Sequence, residues 1–170
     1  LRAWQQKINL PADHGDYLFA RLHRPTPRSA EGAALCGLAT TMIDISDGLA
    51  ADLGHILEAS GVGATLNLRE IPLSASFVAV AGGWNEFHDE GDRLRVALTA
   101  GDDYELCFTV PATLRKRAED IFSRFACGCR AIGVIESAPG LRLRQGDGTL
   151  LSLRQGGYDH FSQDRRDEGQ

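Results

Sequence analysis

Thr40-Thr41-Met42-Ile43-Asp44-Ile45-Ser46-Asp47-Gly48-Leu49-Ala50-Ala51-Asp52-Leu53-Gly54-His55-Ile56-Leu57-Glu58-Ala59-Ser60-Gly61 is the most ordered passage of the sequence. Thr40 to Ile45 is β-branched and apolar, the composition of a buried strand. Ser46-Asp47-Gly48 makes a turn from residues that cap helices well. Leu49, Leu53, Ile56 and Leu57 then fall at i, i+4, i+7 and i+8, one stripe of an amphipathic helix. Ser60-Gly61 ends it, because glycine takes the left-handed exit without a steric penalty. The unit is a strand, an acidic turn and a helix.

Upstream, residues 1–27 have mixed polarity and close on Arg24-Pro25-Thr26-Pro27, which should run extended because each proline disfavours helix before it. Ala30, Ala33, Ala34 and Leu35 predict a short helix between Arg28 and about Leu38. Downstream, Ala64–Leu68 reads as a strand, Ser74–Ala81 as a helix and Gly82–Asp92 as a loop. Leu94–Thr99 and Tyr104–Val110 read as strands joined by Ala100-Gly101-Asp102-Asp103. Pro111 opens a helix with the stripe Leu114, Ala118, Ile121, Phe122 and Phe125, since proline is tolerated in a first turn. Arg130–Ile135 is a strand, and Leu141–Leu153 alternates about Gly146-Asp147-Gly148 as a hairpin does. The expected class is α+β, one mixed β-sheet with α-helices packed on it. Residues 1–27 form a lead-in, 28–161 the domain and 162–170 a charged, frayed tail.

The chain has 170 residues, enough for one domain with a real core. Acidic residues outnumber basic ones 23 to 18, for a net charge of −5, so the basic footprint of a nucleic-acid binder is missing. Arg115-Lys116-Arg117 and Arg165-Arg166 read as solvated surface. No apolar run reaches the roughly 18–20 residues of a membrane span, and the expected location is cytoplasmic. Cys36, Cys107, Cys127 and Cys129 contain no Cys-x-x-Cys and read as reduced thiols, Cys107 within the core. The first residue is Leu1, which suggests a fragment or a processed chain.

Three segments hold the chemistry-bearing residues. In Asp44-Ile45-Ser46-Asp47-Gly48 the turn can bring two carboxylates together, and magnesium takes one or two carboxylates plus phosphate oxygens and waters. The helix start behind it offers free N–H groups to an anion. The same residues also suit a plain helix cap, with Asp44 solvated at a strand end. Gly101-Asp102-Asp103-Tyr104-Glu105 places three carboxylates where a glycine allows close approach, or makes an ordinary polar turn. Gly156-Gly157-Tyr158-Asp159-His160-Phe161 offers an aromatic wall for a flat ring, or an aromatic plug on the core.

Taken together and in order, these segments resemble the thiamine-monophosphate kinase family. The resemblance rests on Ile43–Leu49, Asp52-Leu53-Gly54-His55-Ile56, Ser60-Gly61-Val62-Gly63-Ala64, Ile71-Pro72-Leu73-Ser74, Gly101–Leu106 and Gly157–Phe161. Arg24-Pro25-Thr26-Pro27-Arg28 fits the approach to the first strand, and the match runs from about Tyr17 to Phe161. The family is similar to the aminoimidazole ribonucleotide synthetase superfamily, whose subunits pair an N-terminal dimerising α/β domain with a C-terminal α+β domain that closes over nucleotide. This chain resembles the second.

The resemblance implies a kinase that uses ATP and magnesium to phosphorylate thiamine phosphate to thiamine diphosphate. It implies Asp44 and Asp47 as magnesium ligands, Ser46 in contact with ATP, and Asp102 and Tyr158 in contact with thiamine phosphate. It also implies a homodimer for the full-length protein and an upstream domain that brings further carboxylates, so that this chain alone would fold with little or no activity. There is no G-x-x-x-x-G-K-[ST] loop. Direct in-line transfer without a side-chain nucleophile follows, and His55 and His160 read as structural because a phosphate acceptor is already ionised. Ala100 stands where many relatives have a second glycine. The alternatives are a non-catalytic nucleotide-binding module or another ATP-using member of the superfamily, in whose members a glycine pair usually replaces Ser46-Asp47-Gly48.

Overall fold

In the computed structural model, which describes residues 12–81 and 90–153, the strand–turn–helix unit forms where the sequence places it. Strand β1 is Thr41–Asp44, and the helix, α3, is Leu49–Ser60 and ends on Gly61 at φ 64°. Two helices precede them: α1, Ala12–His23, and α2, Ser29–Ala34. After α3 come β2 (Gly63–Asn67), α4 (Ala75–Ala81), α5 (Glu90–Thr99) and β3 (Leu106–Thr109). Helix α6 (Arg115–Phe122) and strands β4 (Gly133–Glu136), β5 (Gly140–Arg144) and β6 (Leu150–Leu153) complete the described fold.

The class is α+β, but the strands divide into two sheets instead of one. Strands β1 and β3 pair antiparallel by themselves, while a four-stranded mixed sheet runs β4-β2-β5-β6. Within it β2 is parallel to β5 and antiparallel to β4. The predicted hairpin is present: β5 and β6 pair antiparallel from Leu141 opposite Leu153 to Arg144 opposite Leu150, with Gly148 turning at φ 89°.

Helix α3 lies against β1, β2, β5 and α5, and its apolar stripe enters the larger core. Leu49, Leu53 and Leu57 pack there with Leu66, Leu98, Leu141 and Leu143. Leu143 is fully buried, so Leu143→Ala should lower stability by about 2–5 kcal/mol, read from a urea titration. A smaller core gathers Leu35, Leu38, Ala118 and Phe122, with Phe108 stacked on Phe122 at 5.5 Å. Alternation along β3 sends Cys107 into the larger core and Phe108 toward the smaller one.

Several segments differ from the sequence reading: of the loop expected over Gly82–Asp92, residues 90–92 are helical and residues 82–89 lie outside the described residues. Residues 94–99 belong to helix α5 and not to a strand. Arg93-Leu94-Arg95-Val96 alternates like a strand, yet Leu94, Ala97 and Leu98 also stand at helical spacing, and all three pack on the larger core. Burial of that stripe beside α3 decides the matter. In the described part of the lead-in, Ala12–His23 is helical and the Arg24–Pro27 stretch lacks helix, as its prolines require. The basic triplet at the start of α6 is solvated as expected, with Arg115 and Lys116 paired to Glu119 and Asp120 one turn on. No helix among the described residues is long and apolar enough to cross a membrane.

Candidate functional site

Antiparallel pairing sets the end of one strand beside the beginning of the other. The chain leaves β1 through Ile45-Ser46-Asp47 and enters β3 through Gly101-Asp102-Asp103-Tyr104-Glu105, so the two acidic segments meet. The ladder continues past the strands: Ile45 N–H donates to the Glu105 carbonyl and Tyr104 N–H to the Ile45 carbonyl, both at 2.9 Å. Asp102 N–H then donates to the Ser46 carbonyl, also at 2.9 Å.

Close approach of these two backbones depends on Gly101. A Cβ there would stand 2.1 Å from the Ser46 carbonyl oxygen and 3.2 Å from the Asp47 Cα. The turn is also strained, since Asp102 and Tyr104 adopt φ of 66° and 50°, a region that non-glycine residues rarely occupy.

The helix cap is not made by the residues that look suited to it. Gly48 is the N-cap of α3 at φ 115°, with no side-chain cap bond. Asp52 reaches back from inside the first turn, and its Oδ2 accepts Ser46 N–H at 2.9 Å and Asp47 N–H at 3.1 Å. It is only 3% exposed. Its negative charge also lies favourably at the positive end of the helix dipole. The side chains of Ser46 and Asp47 remain at the surface and, among the described residues, are joined to each other by a 3.3 Å hydroxyl-to-carboxylate contact.

Asp44, Ser46, Asp47 and Asp102 are all exposed at this end of the β1–β3 ribbon. The Tyr104 phenol reports their convergence. It donates to Asp102 Oδ1 at 3.2 Å and is held above its usual pKa, first by that bond and the Asp102 charge, with smaller effects of burial and of Asp44 and Asp47. No lysine or arginine pairs with Asp44, Asp47 or Asp102 among the described residues. A groove of about 580 Å³ reaches this end through Asp44 and Tyr104, which line it together with Met42, Leu106, Pro25 and Pro27. Uncompensated exposed carboxylates beside a groove are a donor set for a hard cation that carries phosphate oxygens.

The other carboxylates of the second segment behave differently. Asp103 is exposed as a residue, yet its carboxyl lies close enough to surrounding protein that desolvation pushes its pKa up to about 6, helped by the Glu105 and Asp102 charges and opposed by Arg21. Glu105 is tied to Arg21 and Arg28 and is not free for a metal. Sequence reasoning missed both that pairing and the anchoring role of Asp52, because the partners of Glu105 lie far away in the chain and Asp52 acts on a turn that precedes its own helix. A ligand atom of His55 lies within 4.8 Å of ligand oxygens of Asp47 and Asp52. Tyr158 and His160 lie outside the described residues. All four cysteines are free; burial, then the Asp52 charge, pushes the Cys107 thiol up to about 11, as befits a core thiol.

Residues 20–146 match the family described as AIR synthase related protein, C-terminal domain. The thiamine-monophosphate kinase of Salmonella typhimurium is 40% identical over 147 residues, which cover 86% of this chain and 43% of the relative. The crystal structure of thiamine-monophosphate kinase from Stenotrophomonas maltophilia K279a superposes with a TM-score of 0.71 at 34% identity, covering 86% of this chain and 45% of that one. The structure of AaThiL complexed with AMPPCP and TMP gives a TM-score of 0.69 at 26% identity, over 87% of this chain and 43% of the other. This chain thus spans less than half the length of the proteins it matches.

Proposed function

The chain belongs to the AIR synthase related protein C-terminal domain family, and from that premise we propose that it works as the C-terminal part of a thiamine-monophosphate kinase. The reaction is transfer of the ATP γ-phosphoryl group to thiamine phosphate, giving thiamine diphosphate and ADP. The observation that carries this reading is that no side chain caps α3 while Asp52 holds the backbone of the preceding turn, which leaves the Ser46 and Asp47 side chains exposed, as are those of Asp44 and Asp102. A turn needed only to start the helix would spend its own side chains on the cap. The 40% identity to the Salmonella typhimurium thiamine-monophosphate kinase and the fold shared with AaThiL, a protein complexed with AMPPCP and TMP, support the same reading.

In this proposal Asp44 and Asp47 hold magnesium, Ser46 contacts ATP, and Asp102 and Tyr158 contact thiamine phosphate. Bound magnesium would supply the positive charge that lets two polyanions approach. The chain's own share is placement. The Ile45–Tyr104 ladder fixes the Asp102 backbone against Ser46, and Asp52 fixes the Ser46-Asp47 backbone. Transfer is in line, with no side-chain nucleophile, because positioning and charge neutralisation supply most of the catalysis in this chemistry. A partner domain upstream completes the nucleotide site, the full-length protein is a homodimer, and the location is cytoplasmic.

The test is thiamine diphosphate formation from thiamine phosphate, ATP and magnesium, with this chain alone and together with the upstream half. Product only with both halves is expected. Asp47→Asn should weaken magnesium-dependent binding of a non-hydrolysable ATP analogue to the assembled protein at least about tenfold, a loss on the scale of one charge-assisted contact. Calorimetry in which that affinity is unchanged would remove Asp47 from the metal site. Magnesium-dependent nucleotide binding without any turnover by folded, associated halves would make the protein a nucleotide-binding module instead.

A further inference from the structure

We propose that Arg28 and Arg21 are positioning residues for the turn that faces thiamine phosphate, acting through Glu105; this rests on the kinase reading for the identity of the ligand. Glu105 is gripped from two elements that precede β1. Arg28, just ahead of α2, donates from Nε to Oε2 at 2.9 Å and from Nη2 to Oε1 at 2.8 Å, a two-pronged grip on one carboxylate. Arg21, on α1, donates from Nη2 to Oε1 at 2.7 Å, and the same nitrogen reaches the Asp103 carbonyl at 3.1 Å. Arg28 is itself held by the buried Glu31 at 3.3 Å.

These bonds close around the strained part of the chain. Asp102 and Tyr104, both left-handed, flank Asp103, whose carbonyl Arg21 holds, and Glu105 follows directly. On the other side the Glu105 carbonyl accepts from Ile45 N–H. Backbone and side chain of Glu105 are therefore fixed independently, which is what keeps an unfavourable backbone conformation in place. Isolated surface ion pairs contribute little, but the Arg28 side chain is only 16% exposed and its grip is bidentate. Two guanidiniums also occupy the Glu105 carboxylate, so that it does not compete with Asp102 for the ligand.

Native-state amide hydrogen exchange on the full chain tests this, because Asp102 N–H and Tyr104 N–H donate to Ser46 and Ile45. Glu105→Gln and Arg28→Gln should each speed exchange at these two amides by about tenfold or more while Leu66 and Leu143 in the four-stranded sheet keep their protection. Arg28→Lys, which keeps the charge and the fold but not the fork, should give an intermediate effect. In the assembled enzyme the same variants should raise KM for thiamine phosphate and leave KM for ATP unchanged. Unaltered exchange at Asp102 and Tyr104, or an equal acceleration at every core amide, overturns the positioning role. If the wild-type assembly does not turn over thiamine phosphate, the kinase reading fails, and the exchange pattern still decides whether Arg28 and Arg21 set the turn.

Discussion

Gly101→Ala should destabilise the chain by about 3 kcal/mol, the upper range for forcing an extra carbon into close-packed surroundings. The atoms that a methyl group would meet are backbone, with the Ser46 carbonyl oxygen at 2.1 Å, so no side-chain rotation can relieve the overlap. Either the β1–β3 ladder parts at this end or the Asp102 amide loses its acceptor, and both outcomes separate Asp102 from the Ser46-Asp47 turn. Urea titration should show the lost stability, and magnesium-dependent nucleotide binding should fall with it. The neighbouring position is the control. Ala100 is exposed, so Ala100→Gly should change stability by less than about 1 kcal/mol, the usual difference between these two residues. Equal effects at the two positions would show that the backbone approach at Gly101 is not what holds the site closed.

Asp52→Ala is expected to cost about 3 kcal/mol, because two backbone N–H groups lose their acceptor at a side chain that is 3% exposed. Asp52→Asn keeps an oxygen in place and loses only the charge-assisted part, so its cost should be about half as large. Thermal or urea unfolding of the two variants separates the contributions. The loss should extend to ligand binding, since the Ser46-Asp47 backbone would no longer be fixed relative to α3. A variant of ordinary stability would mean that solvent replaces the carboxylate, which its burial argues against. This aspartate is the side chain on which the candidate site most depends without being part of its exposed face.

What the sequence makes legible follows from how local each interaction is. The strand, turn and helix from Thr41 to Gly61 are written in one uninterrupted stripe and one glycine, and they fold as read. The β5–β6 hairpin is equally local, with its turn and both strands in one short stretch. Residues 94–99 carry two periodicities at once, and only contact with α3 and the larger core selects the helical one. The division into two sheets is a matter of partner choice between distant strands, which composition cannot express. In the same way Asp44, Ser46, Asp47 and Asp102 stand out as chemistry-bearing types in a pattern, and the structure brings them to one end of the β1–β3 ribbon. The grip of Arg21 and Arg28 on Glu105 leaves no local trace, because salt partners across the fold obey no spacing.

The antiparallel union of β1 with β3 also sets an order of events during synthesis. Asp44 and Asp47 leave the ribosome before β3, at the end of a strand whose only partner in the described fold has not yet been made. The larger core is likewise incomplete until the hairpin that contains Leu141 and Leu143 has appeared. Asp102 cannot face Asp47 until the chain has grown past Thr109 and β3 has closed the intervening loop onto β1. A nascent chain thus carries Asp44 and Asp47 as ordinary exposed residues before Asp102 joins them. Under the proposed function, the cation site would be completed in a single late closure and not residue by residue.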